Sequence, residues 1–141
     1  MMGMEATPLA RQMDYVFRQM EPELIHAAAG TVTIQIRNDV IGKYGVCHNP
    51  IESRDGSIDA ASAEPGLKPD QVLAFRKLAL DSLNYKRGWT HGEIRFDFSV
   101  RKGSWSAGIT FESNYNMANI ANGMFRLQPK YGAPHALRDA P

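Results

Sequence analysis

Between Gly92 and Asn116 apolar and polar residues alternate on both sides of one turn signal. Ile94, Phe96, Phe98 and Val100 alternate with Glu93, Arg95, Asp97 and Ser99. Trp105, Ala107, Ile109 and Phe111 alternate with Ser106, Gly108, Thr110 and Glu112. A period of two is the mark of a strand with one buried face. A two-residue turn at Lys102-Gly103 pairs Val100 with Trp105, Phe98 with Ala107, Phe96 with Ile109 and Ile94 with Phe111. Every apolar residue then meets an apolar partner, so the hairpin specifies its own register.

An earlier segment repeats the pattern. Val32, Ile34 and Ile36 alternate with Thr31, Thr33, Gln35 and Arg37, and Val40, Gly42, Tyr44 and Val46 continue an apolar face on the return. A three-residue loop, Arg37-Asn38-Asp39, pairs Ile36 with Val40 and Val32 with Tyr44. A two-residue loop would set Lys43 against Ile34 and bury a charge, so the longer loop is expected.

Helical spacing fills the rest. Thr7-Pro8 predicts a helix start, with a capping hydroxyl and proline at the first helical position. Leu9, Met13, Val16, Phe17 and Met20 form one apolar stripe, and Pro22 predicts an end or kink near Met20. Glu23 to Ala29 adds a short turn or two, with Gly30 as a stop. Residues 49–68 are rich in Ser, Gly, Pro and Ala and predict a long loop. Pro69 opens a helix through about Tyr85, with Val72, Phe75, Leu78, Ala79 and Leu83 facing inward and Arg76, Lys77 and Asp81 facing out. Ser113 or Asn114 caps a last helix over about Tyr115 to Arg126. Residues 128–141 form a proline-containing tail, set apart from a single α+β domain over 1–127. The order α-ββ-α-ββ-α implies a four-stranded antiparallel sheet made of two hairpins, with helices packed on one face and the other face open.

At 141 residues the chain has the length of one domain. A net charge of +1 supplies no broad basic field for a nucleic-acid backbone, so no nucleic-acid partner is expected. No apolar run approaches the length of a membrane span. The start, MMGMEATPLARQ, lacks the basic opening and apolar centre of a signal peptide. With one cysteine, Cys47, no internal disulfide or multi-cysteine zinc site forms, and Cys47 reads as a small strand residue of the kind usually buried. These features together read as a cytoplasmic, reduced protein. No Walker, dinucleotide or nucleophile-elbow motif occurs, and no cofactor or metal is expected. His26, His48 and His135 show no metal-ligand spacing.

Candidate chemistry therefore falls on the polar face of the second hairpin. Its register sets Glu93 opposite Glu112, with Arg95 diagonal to them, and brings His91 and Asn114 to the same end. Directly opposed like charges are destabilising. One reading makes this a site: a metal or acid–base pair using His91, Glu93 and Glu112, or a partner's basic group docked between the glutamates. The competing reading is ordinary solvated surface, with Arg95 bridging the two carboxylates. Trp89, just before the strand, is either a core aromatic or a binding hot spot. Asn114, Tyr115, Asn116, Asn119 and Asn122 form an amide-rich segment that reads as capping plus exposed surface or as a recognition surface.

The succession of a helix, Met20-x-Pro22-Glu23, a hairpin, a long loop, a helix, and Gly88-Trp89-Thr90 leading into a two-stranded ribbon resembles the YezG-like immunity proteins. That resemblance spans roughly residues 9 to 112. It implies a non-enzymatic antitoxin that binds and blocks a secreted nuclease toxin. The near-neutral charge departs from the acidic balance usual in that family. Three functions follow as expectations: a protein-binding or immunity protein; a small enzyme or ligand-binding protein using His91, Glu93, Arg95 and Glu112; and a homo-oligomeric accessory protein strapped by its tail.

Overall fold

A computed structural model describes residues 7–58 and 65–115. The last helix and the tail expected from the sequence lie outside the described residues. The elements are α1 (Leu9–Leu24), β1 (Ala29–Arg37), β2 (Val40–His48), β3 (Ser53–Arg54), β4 (Ser57–Ile58), α2 (Pro69–Ser82), β5 (His91–Arg101) and β6 (Ser104–Ser113). The protein is an α+β structure whose main sheet is four-stranded and antiparallel, in the order β2-β1-β5-β6.

The β5–β6 hairpin has the register expected from its pattern. Val100 pairs with Trp105, Phe98 with Ala107, Phe96 with Ile109 and Ile94 with Phe111. Its turn residues Lys102 and Gly103 have φ of 52° and 78°. Such a two-residue turn matches the twist of the strands it joins.

The β1–β2 hairpin corrects its expected register. Arg37 pairs with Val40 across a two-residue turn, and Asn38 and Asp39 have φ of 52° and 61°. Ile36 pairs with Ile41, not Val40, and Val32 pairs with Val46, not Tyr44. A bulge accounts for the difference. Ile41 and Lys43 face Ile36 and Gln35 in succession, so Gly42 is the extra residue. The bulge moves Lys43 off Ile34, the contact that made a short loop look costly, and Tyr44 takes that place.

Helix α1 runs through Pro22 to Leu24, past the stop expected near Met20. Pro22 is exposed, so water can meet the carbonyl its missing donor leaves free, while Leu24 is fully buried and anchors the final turn. The expected Thr7 cap is also absent: Pro8 occupies the N-cap position and no side chain caps the helix. Helix α2 ends at Ser82, short of Tyr85, which is exposed. Within 49–68, Asp55-Gly56 turns a small β3–β4 hairpin, and Leu67 is buried with its N–H donating to the Leu24 carbonyl at 3.2 Å.

The core gathers Met13, Phe17, Met20 and Leu24 of α1, Val72, Phe75 and Ala79 of α2, and the apolar positions of β1 and β5. Phe75 sits at its centre, with ring centroids 5.1 Å from Phe17, 5.7 Å from Phe96, 5.4 Å from Phe98 and 5.5 Å from Trp105. Arg76, expected to face out, is partly covered and pairs with Asp14 at 3.2 Å, which joins the two helices.

One buried polar residue ties three segments together. Gln12 donates to the Thr7 carbonyl at 2.9 Å and the Asp39 carbonyl at 3.0 Å, and accepts from the Ile41 N–H at 2.8 Å. Gln12→Leu removes that acceptor and strands a backbone donor. A loss of about 1–3 kcal/mol is expected, read as a lower midpoint in chemical denaturation with an unchanged far-UV spectrum.

Candidate functional site

The polar positions of the four strands form rows across the sheet face opposite the buried side chains. One row is Lys43, Gln35, Glu93 and Glu112, read from β2 to β6. The next carries Gly45, Thr33, Arg95 and Thr110. At the near end of the face Arg37 stands opposite His91. Farther along, Thr31 Oγ1 donates to Asp97 Oδ1 at 2.6 Å, and Cys47 pairs with Thr31. Cys47 is exposed, which corrects the expectation of burial: β2 is an edge strand and Cys47 falls on its polar side.

Glu93 and Glu112 are directly opposed, as the hairpin pattern requires. Arg95 resolves the repulsion. Its Nη1 donates to Glu112 Oε1 at 3.1 Å and also to Glu93 Oε2. The guanidinium pKa is raised above its ordinary value, first by the hydrogen bond to Glu112 and then by that to Glu93, with partial burial opposing both. The place between the glutamates that a partner's basic group would occupy is thus filled by the chain's own arginine. Both carboxylates are committed to one fixed cation, an arrangement suited to holding a surface in shape more than to moving protons.

His91 and Asn114 do meet at one end: the Asn114 N–H donates to the His91 carbonyl at 2.9 Å. There they border a cleft of ≈750 Å³ whose lining includes Arg37, Lys43, His91, Glu93, Asn114 and Tyr115. Tyr115 is 74% exposed at the rim. Among the described residues, Arg37 and Lys43 make no ion pair. Asn116 lies outside the described residues, as do Asn119 and Asn122.

Sequence reasoning missed Arg37, Lys43, Gln35 and Gly42. They reach the cleft because β1 pairs with β5, and nothing local in either hairpin announces that pairing. Trp89, by its sequence position either a core aromatic or a binding hot spot, lies inside. It is 1% exposed, lies 6.2 Å from Phe111 and carries Lys86 Nζ 4.4 Å from its ring centroid. Gly92 makes room for it, since a Cβ there would overlap the Trp89 ring and the Glu112 carbonyl. Trp89 therefore supports the floor of the site and offers no contact surface.

No described helix is long and apolar enough to cross a membrane. Among the described residues no group of three metal-ligating side chains comes together. Comparison with known families, with curated proteins and with solved structures finds no match for the chain.

Arg95→Met leaves the two glutamates opposed and lowers the thermal midpoint. Adding Glu112→Gln to that variant restores part of the loss, because one of the repelling charges is gone. Thermal denaturation of the wild type, the two single variants and the double variant measures this coupling.

Proposed function

We propose that the protein is a non-enzymatic binding protein whose contact surface is the His91–Asn114 end of the polar sheet face. The observation that carries this reading is the cleft at that end, with an exposed Tyr115 at its rim and, in its wall, two cations, Arg37 and Lys43, that make no ion pair among the described residues. A rigid aromatic beside adaptable amides and fixed charges is the usual make-up of a protein-recognition surface. The neutralised Glu93–Arg95–Glu112 triad supports the same reading, since it holds the strands in register without leaving a free acid or base.

Phe96 meets Phe17 of α1 and Phe75 of α2, which favours an arrangement with both helices on the buried side of the sheet. Among the described residues nothing then covers the polar face, which leaves it to meet a partner. An immunity protein that blocks a bacterial toxin is a member of this class, and the order of elements through Pro22-Glu23 and Trp89-Thr90 supports it.

Affinity capture from native extract tests the proposal. The wild type should retain a protein partner saturably. Tyr115→Ala combined with Arg37→Glu should weaken retention by at least about tenfold, the scale of a lost hot spot, without lowering the thermal midpoint. Recovery of small molecules alone, or of nothing across conditions, would sink the idea.

A further inference from the structure

The two edges of the main sheet are built differently. At the β2 edge the Gly42 bulge interrupts the ladder and Lys43 is exposed beside it. A bulge and a lysine are the ordinary guards of a free edge. The β6 edge has neither. Its ten residues, SWSAGITFES, pair with β5 without a register break and contain no proline, no lysine and a single charge, Glu112. Among the described residues nothing pairs with its outer side.

Which backbone groups face outward follows from the turn. A two-residue turn makes Arg101 and Ser104 a hydrogen-bonded pair, and such pairs recur at every second position. Ser104, Ser106, Gly108, Thr110 and Glu112 therefore bond inward to β5. Trp105, Ala107, Ile109 and Phe111 aim their N–H and C=O groups out of the sheet.

The strand is also symmetric in polarity about Gly108. Trp105 and Phe111 are equidistant from it, as are Ala107 and Ile109, Ser106 and Thr110, and Ser104 and Glu112. We infer that β6 pairs with β6 of a second copy of this chain, antiparallel about a two-fold axis at Gly108, joining two sheets into one of eight strands. In that register every outward-facing residue meets an outward-facing residue, as an antiparallel ladder requires. Trp105 meets Phe111 of the other copy and Ala107 meets Ile109 on the apolar side, where all four are half-buried in the single chain. Ser106 meets Thr110 on the polar side, where hydroxyl pairs are favourable. Glu112 meets Ser104, so no like charges oppose each other, and Gly108 lets the chains approach at the axis.

Ser104 tests the register because it is exposed, lies beside the turn and faces Glu112 of the other copy twice per dimer. Sedimentation of the full chain over a concentration series should show a reversible dimer. Ser104→Glu should weaken it roughly tenfold through two like-charge pairs, and Ser104→Lys should strengthen it by a similar factor. Circular dichroism of both variants should match the wild type, as expected for an exposed position. A wild type that stays monomeric throughout overturns the inference. So does a dimer that ignores both substitutions, or that responds in the reverse order, because its contact then lies elsewhere.

Discussion

The structure depends on the antiparallel pairing of β1 with β5. Each hairpin alone is a two-stranded ribbon with one apolar face, and such ribbons are marginal in water. Joining them sets Val32 beside Phe96 and Ile34 beside Ile94 at the middle of the sheet, where all four are fully buried. Phe96, in the middle of this pairing, meets Phe17 at 5.8 Å and Phe75 at 5.7 Å between ring centroids.

The same pairing is braced at its ends by groups with no hydrophobic role. The Asn38-Asp39 turn docks on the segment entering β5. The Asn38 N–H donates to the Thr90 carbonyl at 2.7 Å, the Asp39 N–H donates to the Trp89 carbonyl at 2.9 Å, and Asp39 Oδ1 accepts from the Trp89 N–H at 3.0 Å. Gln12 reaches the same turn from α1. At the other end of the sheet Gln71 Nε2 of α2 donates to the Gly103 carbonyl at 2.9 Å and so ties the β5–β6 turn to the helix start. Partly buried polar contacts of this kind favour one arrangement because leaving a member unpaired is costly. The walls of the cleft are strand positions and its floor is supported by Trp89, while Tyr115 projects at the rim.

The polar face shows how register turns a liability into a fixed feature. Opposing Glu93 and Glu112 is the unavoidable outcome of aligning four apolar pairs on the reverse side. Arg95, two positions along, bridges both. The space between the two carboxylates is thereby occupied. Arg37 and Lys43 of the neighbouring strands make no ion pair with either carboxylate or with any other described residue. The cleft at the His91–Asn114 end is lined by residues of β1 and β2 as well as by the β5–β6 hairpin.

Legibility in the sequence followed the range of the interaction. The β5–β6 register, the opposed glutamates, the bridging arginine and the meeting of His91 with Asn114 are all local. Alternation plus one turn determines them, because a slip of one residue would turn every apolar side chain to water. The first hairpin was half legible. Its strands were plain, but the Gly42 bulge was not, since a bulge spares Lys43 from burial without leaving a trace in the alternation. The run of α1 through Pro22, the burial of Leu67 and the exposure of Cys47 needed the three-dimensional surroundings of each residue. Above all, the β1–β5 pairing was decided by tertiary structure alone. Two ribbons with interchangeable apolar faces can join by any of several edges, and only packing against Phe17 and Phe75, with the Asp39 and Gln12 contacts locking one choice, brings Arg37 and Lys43 to the site.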